Sequence, residues 1–219
     1  MHNKFFNYSI VILLSIFFAY ILYTFGMPEW LIIIIIILFI IALMIGYPFY
    51  VIYKSKNMKL IGRYLTTHKK KPIFQYAYAL SHENNEEVID SLKRVLAAYP
   101  QAEVQEVYKA NLAIFQKDWQ KLITFSDQMT NPLYKDYYRG IGYAMKNDRE
   151  AAAATLSKVP VPWMKHSLSA IIALKNKDRG RFRIERDQSV ANAVGMQRYV
   201  LFYTLKRMEE SILPVNSAK

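Results

Sequence analysis

Residues 146–156 read KNDREAAAATL: a polar, charged run passes without a break into four alanines. A turn of that composition ahead of strong helix formers marks a helix start, with Asp148 placed to accept hydrogen bonds from the free N–H groups that open it. The alanines supply helix propensity, and one of them at a buried seam lets two helices approach closely. The reading of the fold depends on whether this arrangement recurs along the chain.

It recurs. Four segments align when written from the end of one helical pattern into the next: YAYALSHENNEEVIDSL from Tyr76, ANLAIFQKDWQKLITFS from Ala110, GIGYAMKNDREAAAATL from Gly140 and AIIALKNKDRGRFRIER from Ala170. In each, an apolar helical pattern meets a polar turn and a second helical pattern follows. Asn84, Asp118, Asp148 and Asp178 hold the same place in the turn, spaced by 34, 30 and 30 residues. Such a period is the mark of stacked helical units. Asn131-Pro132 reads as an N-cap with a first-turn proline, and Pro160 and Pro162 separate the last two units. Beyond Asp187, Val190, Val194, Tyr199, Phe202, Leu205 and Met208 outline a final helix that caps the exposed end. No strand alternation persists, so the predicted fold class is all-α.

Over about residues 69–190 the chain resembles tetratricopeptide repeats, whose pattern is W-x2-L-G-x2-Y, then A-x3-F, then P. The third copy matches best, with Gly140 and Tyr143 on its first helix and Ala152 and Leu156 on its second. Ala79, Val88, Leu92 and Pro100 match in the first copy, and Ala110, Ala113 and Leu122 in the second. No copy carries the family Trp, and Tyr76 and Phe182 replace small residues in the first and fourth. The resemblance implies an alpha-solenoid over 72–211, with Ala110, Gly140, Tyr143 and Ala152 at packing contacts. It also implies a concave, partner-binding groove lined by Asn111, Tyr134, Tyr137 and Ile141, with Tyr108 and Tyr138 close by. Tyrosine suits recognition because it offers a large rigid face and one hydroxyl at low entropic cost.

The N-terminal part differs in kind. Residues 5–25 and 30–53 carry no charge and each exceeds the ~18 residues needed to cross a hydrocarbon core. Gly26-Met27-Pro28-Glu29 separates them, so residues 1–53 read as a two-helix transmembrane hairpin, an anchor. The alternative, a cleaved signal peptide, finds no small-x-small cleavage site in YTFGM. Lys4 precedes the hairpin and Lys54, Lys56, Lys59 and Arg63 follow it, which predicts a cell-membrane protein with both termini cytoplasmic. Neither span holds an Asp, Glu, Lys, Arg or His side chain, which disfavours an ion or proton pathway.

The whole net charge of +12 comes from residue 54 onward. Residues 54–71 hold Lys54, Lys56, Lys59, Arg63, Lys69, Lys70 and Lys71 and no acid, a juxtamembrane segment suited to anionic phospholipid. Met58, Ile61 and Leu65 recur at helical spacing, so this segment is expected to lie amphipathically along the inner leaflet. Residues 212–219 read as a flexible tail. High Ile, Lys, Asn and Tyr usage is compatible with an AT-rich bacterial genome.

The chain has no cysteine, no H-E-x-x-H, no G-x-S-x-G and no phosphate-binding glycine loop. No enzyme, catalytic residue, metal or cofactor is expected. The run KNKDRGRFRIER, 175–186, places Arg179, Arg183 and Arg186 on one face, but Asp178, Glu185 and Asp187 dilute it, so nucleic acid is not an expected partner. The expected function is a membrane-anchored scaffold or adaptor whose cytoplasmic solenoid binds a protein or peptide. The alternative is a lipid- or nucleic-acid-responsive membrane regulator, or an envelope-biogenesis factor, acting through its basic surface.

Overall fold

A computed structural model describes residues 2–212, with side chains described from Ile12; of the tail expected at 212–219, Ile212 instead closes the last helix and the rest lies outside the described residues. Among the described residues there are twelve α-helices and no strand. The chain divides into a unit that ends at Val51 and a unit that begins at Ile52.

The first unit holds α1 (His2–Thr24) and most of α2 (Glu29–Tyr53). Gly26, at φ +73, ends α1, and Met27 N–H reaches back to the Leu22 carbonyl at 3.4 Å. A residue in the left-handed region at this point is the usual device for satisfying the last carbonyls of a helix. The Phe18 and Phe39 rings meet at 5.3 Å, so the two helices converge. By length and composition α2 is one helix able to cross a membrane, a property shared with signal sequences and core helices. The described apolar part of α1, Ile12–Thr24, is shorter than a span.

The second unit begins with α3 (Met58–His68) and continues as four antiparallel pairs. These are α4 (Pro72–His82) with α5 (Asn85–Ala98), α6 (Ala102–Phe115) with α7 (Trp119–Asp127), α8 (Pro132–Met145) with α9 (Arg149–Ser157), and α10 (Pro162–Lys175) with α11 (Arg179–Asn192). The four aligned polar residues all cap the second helix of their pair. Asn84, Asp118, Asp148 and Asp178 accept from the backbone N–H of Glu87, Lys121, Ala151 and Arg181 at 2.9–3.1 Å. A cap of this type contributes about 1 kcal/mol.

The last three turns are the same turn built three times. Lys117, Asn147 and Lys177 each have φ near +60 (58, 67 and 63) and immediately precede the capping aspartate. In each, the aspartate's N–H reaches five residues back: Asp118 to Ala113, Asp148 to Tyr143 and Asp178 to Ala173, at 2.9–3.0 Å. The first turn differs, since Glu83 is extended at φ −110 and no left-handed residue precedes Asn84.

Small residues set the spacing between pairs. A Cβ on Gly140 would lie 2.6 Å from Leu168 Cδ2 on α10 and 3.2 Å from Thr155 Cγ2 on α9. A Cβ on Gly142 would lie 2.5 Å from Ile123 Cγ1 on α7. Thus α8 meets the following pair through one glycine and the preceding pair through the other. Ala110 and Ala152 are fully buried, Tyr143 is half-buried, and Ala153 and Ala154 are exposed. Of the four alanines in the opening stretch, Ala152 alone serves the seam.

The final helix, α12 (Gly195–Ile212), departs from the expected cap. It packs on α11, but it also runs back across α10, α4 and α3. The reason lies in its composition: Tyr199, Leu201, Leu205 and Met208 are buried on more than one side, which suits a helix between two walls rather than over an end. Gly195, at φ +58, turns the chain into α12 and donates to the Ser55 carbonyl at 2.7 Å. Farther along, the Arg207 guanidinium donates to the carbonyls of Leu80 (2.6 Å), Ala79 (3.0 Å) and Glu83. A cation there answers the unpaired carbonyls and the negative dipole end of α4.

The repeated turn makes a sharp stability prediction. A lysine in the left-handed region carries strain of about 1 kcal/mol or more that glycine does not. Lys177→Gly is therefore expected to raise the thermal midpoint of the purified chain, and Lys177→Val to lower it. Gly140→Val should cost about 1–3 kcal/mol through overpacking, and Leu168→Ala in the same chain should recover part of that loss. Calorimetric melting of the four proteins reads both effects.

Candidate functional site

The first helices of all four pairs send side chains to one place. Tyr76 comes from α4, Tyr108 and Asn111 from α6, Tyr134, Tyr137, Tyr138 and Ile141 from α8, and Trp163 and Ser167 from α10. All five residues expected in the groove, Tyr108, Asn111, Tyr134, Tyr137 and Ile141, line this single cavity of about 160 Å³. Helical spacing explains the grouping: Tyr134, Tyr137, Tyr138 and Ile141 fall on one face at intervals of three and four.

The opposite wall was not foreseen. It is α12, through residues such as Met196, Val200, Leu201, Thr204 and Leu205. The concave face is thus filled by the chain's own last helix, and what remains is a pocket between that helix and the tyrosines. A signal for this was present in the sequence. Val200, Leu201, Phe202 and Tyr203 are consecutive, so no single apolar stripe accounts for them.

The tyrosines are held by hydrogen bonds and ring contacts. The Tyr137 hydroxyl pairs with Ser167 Oγ at 2.9 Å. Asn111 Nδ2 donates to the Tyr138 hydroxyl at 3.0 Å and to the Val107 carbonyl at 2.9 Å. Tyr137 meets Trp163 edge-on with ring centres 5.5 Å apart, and Tyr76 meets Tyr108 likewise at 5.6 Å. The Tyr76 hydroxyl and Thr204 Oγ1 are shielded from solvent, and neither has a hydrogen-bond partner of ordinary geometry. Thr204 is still near enough to oppose, weakly, the upward shift that burial imposes on Tyr76. Hydroxyls of this kind accommodate water or a neutral hydrogen-bonding group of a ligand.

Electrostatically the pocket is neutral. Among the described residues, none that lines it is charged. Burial raises Tyr137 to about 12, with the Ser167 hydrogen bond working in the other direction. Burial also pushes Tyr76, Tyr108 and Tyr138 upward. With its tyrosine hydroxyls held neutral by burial, the lining presents shape and hydrogen-bonding groups. Among the described residues no group of three or more His, Asp or Glu could hold a metal ion.

The basic segment is a second surface. Lys54, Lys56, Lys59, Arg63, Lys69, Lys70 and Lys71 are all exposed, and none forms an ion pair among the described residues. Lys69 lies over the Tyr78 ring at 4.8 Å. The expectation that α3 lays its apolar face on lipid is corrected: Ile61 and Leu65 are 1% exposed and pack within the helical unit, on the side of α4 and α12. Burial against protein gains the same apolar surface energy, so only the charged face of α3 remains outward.

The arginine run on α11 is largely answered from within. Glu209 of α12 pairs with Arg183 at 3.5 Å and Arg186 at 3.2 Å, and Arg181 lies 4.0 Å from Glu185. His166 also bonds Glu185, at 2.8 Å, a contact between α10 and α11 that sequence spacing did not suggest. His82 stacks on Tyr78 with ring centres 4.2 Å apart. No family model, no curated protein and no solved structure matches this chain.

Two measurements probe the site. In the folded state the buried tyrosines ionise above the ordinary value near 10, so the unfolded chain loses protons first as pH rises. For Tyr137 the contribution is complete below about pH 10 and is lost as pH climbs toward 12, and burial carries the loss from Tyr76, Tyr108 and Tyr138 upward as well. The expected result is alkaline unfolding that coincides with a steep, cooperative tyrosinate absorbance change. Arg207→Ala should release α12 before the rest of the unit. Hydrogen exchange should therefore rise across 196–212 while 132–175 stays protected, and Arg207→Lys should restore only part of the protection.

Proposed function

We propose that this protein is a membrane-anchored scaffold. In this reading α1 and α2 form a two-span hairpin, both termini are cytoplasmic, and a tetratricopeptide-repeat-like domain docks a protein or peptide partner at the inner face. The observation that carries it is the convergence on one neutral, concave face of tyrosines from three successive first helices and of Trp163 from the fourth. Rigid aromatic side chains with single hydroxyls are the usual anchors of protein recognition. The exposed apolar side chains of α2, among them Trp30, Ile33, Leu38, Ile41 and Ile45, support the anchor. The four capped helix pairs with small residues at their seams support the repeat resemblance. Mechanistically, confinement to one membrane raises the effective concentration of any partner held there.

A second reading draws on the seven exposed bases of residues 54–71, none of them ion-paired among the described residues: a regulator that responds to anionic lipid. Nucleic acid is a weaker ligand for this surface, because Glu209 and Glu185 already occupy the arginines of α11.

The absence of native cysteine makes topology straightforward to test. With an impermeant maleimide on intact cells, Met27→Cys should be labelled, whereas Asn3→Cys and Ala153→Cys should need permeabilisation. Labelling of Asn3→Cys from outside would leave a single span. For the docking face, a photo-crosslinking residue at Tyr134, which is only half-buried, should capture one reproducible partner in cells, and the same residue at exposed Ala153 should not. Equal capture at both positions would remove the groove from the reading.

A further inference from the structure

Where the helical unit begins, the end of α2, the opening of α4 and the turn from α11 into α12 enclose a cleft of about 470 Å³. Its walls are mostly apolar, with Ile52, Ile73, Phe74, Val194 and Met196 among them, and Lys71 is the only charged residue among the described residues that line it. We propose that this cleft binds one anionic phospholipid from the membrane that α2 enters. The site rests on the membrane-anchored reading and adds a defined ligand to it.

Three observations converge. The first is position: Ile52 and Tyr53 are the last residues of the helix whose length and apolarity suit a membrane, so the cleft opens where the chain leaves hydrocarbon. The second is the match between wall and ligand. Aliphatic side chains suit the upper acyl chain and glycerol. The exposed Lys71 ammonium, which no carboxylate pairs and which sits 5.8 Å from the centre of the Phe74 ring, suits the phosphate. The third is charge complementarity. Residues 54–71 supply seven bases and no acid, so the local field selects an anionic headgroup over a zwitterionic one.

Two walls of the cleft are also tied to each other. The N–H of Gly195 bonds the Ser55 carbonyl at 2.7 Å, and a Cβ at Gly195 would lie 1.8 Å from the Ile52 carbonyl oxygen. The turn that forms one wall is therefore fixed to the segment that forms another. A diffuse basic surface has no such walls, and this separates a single lipid site from general attraction. Met196 and Gln197 line both this cleft and the tyrosine pocket, so a bound lipid would touch the helix that fills the groove.

The test uses the full chain in nanodiscs of phosphatidylcholine with a minor fraction of phosphatidylglycerol, followed by native mass spectrometry. The wild type is expected to retain one phosphatidylglycerol. Lys71→Glu should cut that retention at least about fivefold, as the loss of one favourable ~1 kcal/mol lipid contact requires. Val194→Trp, which fills the cleft, should do the same. Lys109→Glu, exposed and outside both the cleft and the basic segment, should keep the lipid. Retention by Lys71→Glu, equal loss in Lys109→Glu, or equal retention of phosphatidylcholine would each overturn the site. Because Lys71 is exposed, that variant keeps the fold, and thermal melting checks Val194→Trp. If the wild-type chain is recovered outside the nanodiscs, the anchor itself has failed and the lipid site falls with it. If it inserts and carries no lipid, only the lipid site fails.

Discussion

The helical unit depends on a turn in which one helix must end and the next begin within three residues. Each such junction leaves carbonyls unpaired on one side and N–H groups on the other. The chain answers both at once in three of its four turns: a left-handed residue sends a backbone N–H back to the closing helix, and the aspartate that follows caps the opening one. Because the geometry repeats, α6/α7, α8/α9 and α10/α11 leave their turns in the same relative direction. That common direction brings side chains of successive first helices to a shared face.

This dependence explains what the sequence reveals and what it conceals. The four capping residues and their spacing are legible because a cap is a local interaction, settled within four residues of chain. Gly140 and Ala152 are legible for a related reason: a small residue inside an apolar helical pattern has few uses besides a close contact. The left-handed residues are less visible, since lysine at positions 117 and 177 has no preference for that region. The path of α12 is hidden almost entirely. It is fixed by Arg207 reaching carbonyls of residues 79, 80 and 83, and by the Tyr199 hydroxyl against Ser81 at 2.6 Å. Those partners lie more than a hundred residues away, and no period encodes them.

The same distance between local and long-range information separates the two halves of the candidate site. One wall of the tyrosine pocket follows from helical spacing on α6 and α8. The other wall exists because α12 is apolar on several sides and has to be enclosed. A basic segment with a helical pattern likewise has two ways to bury Ile61 and Leu65, in lipid or in protein. Composition does not choose between them; the presence of α4 and α12 beside α3 does.

A filled groove changes what docking would require. A partner that approaches the tyrosines meets α12 first, so it either reads the rim beside that helix or competes with it. Competition has to offset the burial of Leu201, Leu205 and Met208, the Arg207 hydrogen bonds and the two ion pairs of Glu209. A ligand moves such an equilibrium only by its differential affinity for the open form, and reversal from one part in a hundred to ninety-nine takes about 5.5 kcal/mol. Reading the rim carries no such cost. Under the docking proposal, Tyr134, half-buried, with its ring 6.4 Å from that of Tyr138, is the residue through which an approaching surface would reach the pocket while α12 stays in place.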